Sequence, residues 1–219
     1  MSHVGATAHD TDTDPPPTTG RWPVLAVLCL AQFMLVLDVT VVNVALPSIG
    51  AELGLGRDAL TWVVTAYALS FGGLMLLGGR IADLVGRRTA FLTGLLVFTA
   101  ASLTGGLAGS AGVLIGGRIA QGVGAALMSP SALALVTTTF HGPARNRALG
   151  VWAAVGGTGS AFGVLVGGLL TDGPGWEWIF FVNVPVGAAV FAGVLALVPA
   201  DAGDAHAAGA ARAAGGRPR

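Results

Sequence analysis

The stretch Gly79-Arg80-Ile81-Ala82-Asp83-Leu84-Val85-Gly86-Arg87-Arg88 packs four charges and two glycines between two long apolar runs. Charges confined in this way predict a short loop at a membrane surface. The three arginines alone fit the excess of cytoplasmic basic residues found throughout membrane proteins. Asp83 and the flanking Gly79 and Gly86 are not explained by that excess.

The surrounding composition agrees. Of 219 residues, 53% are hydrophobic and only 10% are charged, against about 25% charged in soluble domains. All basic residues are arginine, and 11 of them balance 11 acids. A net charge of zero gives no reason to expect nucleic acid or an acidic partner. Cys29 stands alone, which excludes an internal disulfide and leaves it a small core residue. No metal-ligating cluster, no nucleophile and base pair and no phosphate loop is found, so the chain does not read as an enzyme. Gly157-Thr158-Gly159 lacks the strand, turn and helix that a dinucleotide loop requires.

Six apolar stretches lie at roughly 22–46, 60–79, 89–109, 111–137, 148–170 and 178–198, each near the ~20 residues that a bilayer-spanning helix needs. Helices are required, because lipid cannot satisfy open backbone groups and barrel strands would alternate polar with apolar residues. The expected fold is an all-α membrane protein with six transmembrane helices over residues 22–198. Residues 1–21, with Asp10, Asp12, Asp14 and a proline run, are expected to form a disordered tail. A cleaved signal peptide is not expected, since the basic leading region is missing and the first apolar run exceeds the ~7–15 residues of such a signal. Residues 199–219 read as a linker or tail.

Placing the N-terminus inside puts Arg21, Arg80, Arg87, Arg88, Arg145, Arg147, Arg212, Arg217 and Arg219 in the cytoplasm. Only Arg57 is then outside, beside Glu52, Asp58, Asp172 and Glu177. This asymmetry makes both termini cytoplasmic.

Two charges remain inside the spans, Asp38 and Arg118. Each costs at least ~2.5 kcal/mol at a helix centre, and such residues face a cavity or a partner. At 1.5 Å per residue, Asp38 lies about 22 Å from the inner end of its helix, and Arg118 about 10 Å from the outer end of a helix running inward. The two therefore share a depth and are expected to meet, directly or through water, around a cavity in the outer half of the bundle. A purely structural buried pair is the alternative.

The motif residues now carry a resemblance. Gly79 to Arg88 resembles the loop between the second and third helices of major facilitator superfamily transporters. Leu37-Asp38-Val39-Thr40-Val41-Val42-Asn43-Val44-Ala45-Leu46-Pro47 is similar to the first helix of the fourteen-span drug:proton antiporter branch. Arg118-Ile119-Ala120-Gln121-Gly122-Val123-Gly124 resembles the superfamily's fourth-helix motif, and Trp176-Glu177-Trp178-Ile179-Phe180-Phe181-Val182-Asn183-Val184-Pro185-Val186-Gly187 the start of that branch's sixth helix. The fifth helix departs: Gly163-Val164-Leu165-Val166-Gly167-Gly168 has Val164 where antiporters carry proline. What remains is a stripe of Gly159, Gly163 and Gly167 on one helix face, suited to close backbone approach, with Gly168 beside it.

The resemblance implies proton-coupled efflux of small hydrophobic or cationic molecules of the drug or antibiotic class, as in multidrug resistance. It implies a proton gradient rather than a cofactor as the energy source, and a multi-pass position in the plasma (inner) membrane. Asp38 and Arg118 are the implied sites of proton coupling or cargo binding. Asp83 and Arg87 are implied to form a cytoplasmic charge lock that Gly79, Arg80, Gly86 and Arg88 accompany. Gln121 and Gly122 join the glycine stripe as packing or gating residues. Phe33, Trp62, Tyr67, Trp152 and Phe162 are candidates for an aromatic cavity suited to a cationic or hydrophobic cargo. Superfamily members combine two six-helix halves, and this sequence supplies the N-terminal one. The expected partners are therefore cargo, lipid and either a missing second half or a second copy. A non-transporting half-bundle, a scaffold or regulatory partner, is the rival reading.

Overall fold

A computed structural model describes residues 20–200. The expected tails, 1–21 and 199–219, lie almost wholly outside the described residues. The elements are α1 (Arg21–Leu53), α2 (Arg57–Val85), α3 (Arg87–Gly106), α4 (Ala111–Thr139), α5 (Gly142–Asp172), α6 (Trp178–Phe181) and α7 (Asn183–Leu197). With α6 and α7 taken as one span, six helices are long and apolar enough to cross a membrane.

Four helices, α1, α2, α4 and α5, run beyond the apolar stretches. α1 has 33 residues, about 50 Å at 1.5 Å per residue, and passes through Gly50 to end at the left-handed Gly54. α5 begins at Gly142 and carries Arg145 and Arg147 on its first turns. The expected loop from Gly79 to Arg88 is corrected most. Its first seven residues complete α2 and its last two begin α3, so the break is Gly86 alone. Gly86 has φ 98°, a region open to glycine and strained for other residues. Polar side chains do not end a helix; the backbone ladder continues past the apolar zone until a residue breaks it.

The sixth span is divided at Val182 for a traceable reason. Pro185 has no N–H, so the carbonyl of Phe181 has no helical donor four residues on. In α4, Pro130 likewise frees the carbonyl of Ala126. That oxygen is the nearest atom to where a Cβ on Gly78 of α2 would stand, so the freed carbonyl lies directly against the glycine.

α4 packs most extensively on α2 and α3, while α1 packs chiefly on α5 and then α7. Glycines set the first set of contacts: a Cβ on Gly94 would lie 2.6 Å from the Gly124 carbonyl, and one on Gly124 2.6 Å from the Gly94 carbonyl. The ends of the bundle are tied separately. Trp22 meets Phe140 edge-on at one end, and Trp176 donates to Glu52 at 3.0 Å at the other. Two apolar core clusters fill the interior, one around Leu28, Phe91 and Phe98, the other around Val41, Leu114 and Phe180.

Candidate functional site: a buried charge network

Five of the six spans contribute to one polar network. Arg118 of α4 donates through Nη1 to Asp38 Oδ2 of α1 at 2.6 Å and to Gln121 Oε1 at 2.9 Å. Its Nε donates to the Val63 carbonyl of α2 at 3.1 Å, and its guanidinium lies 4.3 Å from the Tyr67 ring centre. Gln121 donates through Nε2 to Asp38 Oδ1 at 3.0 Å and to Ser102 Oγ of α3 at 2.8 Å. Asn183, the first residue of α7, donates to Asp38 Oδ1 at 3.0 Å and to Ser102 Oγ at 3.3 Å. Ser102 Oγ in turn donates to the Phe98 carbonyl at 2.8 Å.

The network is dry. Asp38 and Arg118 are each 1% exposed, and Gln121, Ser102 and Asn183 are buried with them. Removing two charges from water is tolerated when they pair closely and their remaining hydrogen-bonding groups are satisfied, and both carboxylate oxygens are satisfied here. The backbone places them: Asp38 lies on the α1 face that also buries Met34, Val41, Val42 and Ala45, the helical spacing of an inward stripe.

Asp38 and Arg118 thus meet directly, but not around a cavity. A cavity of about 210 Å³ lies alongside, lined among others by Gln32, Thr40, Tyr67, Phe71, Ser129 and Ser160 and by neither charged residue. Its α1 lining, Gln32, Leu35, Val36, Val39 and Thr40, forms the neighbouring helical face. Tyr67 belongs to both settings, with its ring against Arg118 and a place in the cavity wall. The other aromatics fall elsewhere. Phe33 packs edge-on to Phe162, Trp152 packs on the inner core, and Trp62 and Phe162 are more than half exposed.

The implied charge lock is not formed: among the described residues Asp38–Arg118 is the ion pair, and Asp83 makes none with Arg87. Asp83 instead shares a surface groove with Arg80, Gly79 and Pro130, while Arg88 Nε is buried without a partner. Gly122 packs on α2, where a Cβ would lie 2.7 Å from the Tyr67 carbonyl. The stripe of Gly159, Gly163 and Gly167 packs on α1, with Thr40 Cβ 2.6 Å from a Cβ on Gly163; Gly168 meets nothing within 4 Å and takes no part in packing.

Sequence reasoning missed Ser102, the Val63 carbonyl and the role of Asn183. The available signal was depth: each lies close to Asp38 and Arg118 along its own span.

The Major Facilitator Superfamily model matches residues 28–217. The chain belongs to the major facilitator superfamily. Among curated relatives, the puromycin resistance protein pur8 of Streptomyces alboniger is 52% identical over 171 residues, covering 78% of this chain and 34% of that protein. The cephamycin export protein CmcT of Amycolatopsis lactamdurans is 49% identical, covering 74% and 34%. This superfamily chain spans about a third of the length of these relatives. Among solved structures, an inward-facing, unoccupied bacterial homologue of the human lysosomal transporter spinster aligns with TM-score 0.64 at 24% identity, covering 84% of this chain and 43% of that one. That likeness shows a shared fold. The chain is therefore a multi-pass membrane protein of a transporter family, and the network above occupies the interior of its six-helix unit.

Proposed function

We propose that the chain is the N-terminal six-helix half of a proton-coupled exporter of small hydrophobic or cationic molecules, of the drug or antibiotic class. The observation that carries this reading is the buried Asp38–Arg118 pair. A half-bundle serving only as a scaffold has no use for two charges whose insertion each costs at least ~2.5 kcal/mol. The names of relatives concerned with puromycin resistance and cephamycin export support the cargo class. The packing of the α5 glycine stripe on α1 suits helices that shift as rigid bodies.

In this reading the energy source is a proton gradient, with no cofactor and no enzymatic step. The protein sits in the plasma membrane with both termini in the cytoplasm. Asp38 is the proposed coupling site, its carboxylate held by Arg118, Gln121 and Asn183. The cavity beside Tyr67 contributes part of the cargo wall. A second six-helix unit, on the same polypeptide or as a second copy, completes that wall.

The test is cargo accumulation in efflux-deficient bacteria expressing the wild-type chain or its Asp38→Asn variant within the complete transporter. Asp38→Asn is expected to abolish proton-linked export and leave membrane insertion unchanged. Export that survives this substitution removes Asp38 as the coupling site. A wild-type protein that inserts and exports nothing from a panel of cationic and hydrophobic antibiotics supports the scaffold reading instead.

A further inference from the structure

We infer that Asn183 is the positioning residue through which the protonation state of Asp38 sets the hold on the sixth span, a reading that rests on the proton coupling proposed above. Every contact of the Asp38 carboxylate comes from a donor. Oδ2 accepts from Arg118, and Oδ1 accepts from both Gln121 and Asn183. A proton arriving from water on either oxygen turns an acceptor into a donor that faces another N–H. No covalent bond breaks in the chain or the cargo; one of the three contacts has to yield.

The geometry points to Asn183. Arg118 is also held by the Val63 carbonyl, the Gln121 oxygen and the Tyr67 ring. Gln121 is held by Arg118 and by Ser102 at 2.8 Å. Both stand on α4, which is locked against α2 and α3 by glycine-to-carbonyl contacts at Gly78, Gly94, Gly122 and Gly124. The second contact of Asn183 is the longest in the network, 3.3 Å to a Ser102 oxygen that already accepts from Gln121. Its backbone starts α7 directly after the Val182 break, where the ladder has lost the Pro185 donor. The loosest side chain in the network therefore sits at the weakest point of a span.

Other titratable groups do not compete. Arg118 and Tyr67 are the charged and titratable side chains facing this carboxylate from α4 and α2. The stretches 89–106 of α3, 148–171 of α5 and 183–197 of α7 contain no titratable residue. With Asn183 released, α6 and α7 remain in contact with α3 through Phe180 on Gly105, Phe181 on Gly106 and Gly187 on Thr99. These contacts are smooth and apolar apart from the buried, unpartnered Thr99 hydroxyl, and they define a surface along which the span can shift.

Hydrogen exchange of the full chain in lipid nanodiscs tests this, with mass spectrometry following backbone amides of residues 178–187. After correction for intrinsic exchange, opening of this segment is expected to be about tenfold greater in Asp38→Asn, which carries a neutral side chain in place of the carboxylate, than in wild type, the worth of a charge-assisted hydrogen bond. Asn183→Ala, and the milder Asn183→Ser whose side chain is too short to reach, should show the same open level, and adding Asp38→Asn to either should open the segment no further. A merely structural Asn183 would leave the effect of Asp38→Asn intact, so that each double variant opens about tenfold beyond its Asn183 parent; that result overturns the inference. If Asp38→Asn leaves the segment at the wild-type level while abolishing export, the inference is overturned and proton coupling stands. If Asp38→Asn changes neither exchange nor export, the proton-coupled reading fails and the inference with it.

Discussion

Arg118 serves four partners with one guanidinium: the Asp38 carboxylate, the Gln121 oxygen, the Val63 carbonyl and the Tyr67 face. Charge alone satisfies only the first. Arg118→Lys keeps the cation and loses the Nε–H that holds Val63 and the planar surface that lies on Tyr67. Export by the complete transporter, measured as cargo accumulation, is therefore expected to fall by at least about tenfold in the lysine variant, the effect of losing a charged hydrogen bond in a dry site. Insertion and expression should match wild type. Undiminished export would mean that a point charge near Asp38 is sufficient. Asp38 and Arg118 were legible in the sequence because a charge inside an apolar run is costly wherever it falls. Ser102 and Asn183 were not. Neutral polar residues occur throughout spans at little cost, and whether one faces a carboxylate depends on the rotation of its helix, which composition does not fix.

The same limit applies to the elements. The number and order of spans were legible from apolar run length, but the ends were not, because a helix continues through polar residues while its ladder is intact. The decapeptide from Gly79 to Arg88 read as a loop and folds as two helix ends joined at Gly86. The glycines separate into those that carry packing and those that do not. A Cβ on Gly122 would lie 2.7 Å from the Tyr67 carbonyl and 3.0 Å from the Phe71 nitrogen, whereas one on Gly116 meets nothing within 4 Å. Backbone cannot move aside as a side chain can, so Gly122→Ala forces α2 away from α4 and disturbs Tyr67 together with Arg118. Its expected cost is about 1–3 kcal/mol, the usual penalty for overpacking, read as a lower thermal midpoint in detergent. Gly116→Ala should leave the midpoint unchanged or raise it slightly. Equal midpoints for the two variants would show that α2 and α4 are less closely joined than the carbonyl contacts require.

For the whole molecule, the decisive feature is what lies on the face between α2 and α5, the two least buried spans. Exposed leucines of these two spans, Leu69 and Leu76 on α2 and Leu165 and Leu169 on α5, suit lipid and a protein partner equally. The polar groups discriminate. Gln32 and the Ser129 and Ser160 hydroxyls line the cavity on this face, and the Gln32 oxygen is buried without a partner. Lipid offers such groups no hydrogen bond, and non-lipid surroundings are where polar side chains persist at membrane depth. A second six-helix unit or a water-filled vestibule therefore fits this face better than acyl chains do. Val164 reports on the difference. It stands one turn along α5 from Ser160, is 57% exposed, and occupies the position where antiporters of the resembled branch carry proline. In a Cys29→Ser background, a nitroxide at Val164→Cys is expected to collide with dissolved oxygen severalfold less than one at Leu96→Cys, the exposed reference on α3, because oxygen concentrates in lipid. Equal collision rates would place Val164 against acyl chains, and the six-helix bundle would then stand in the membrane without a partner on its α2–α5 face.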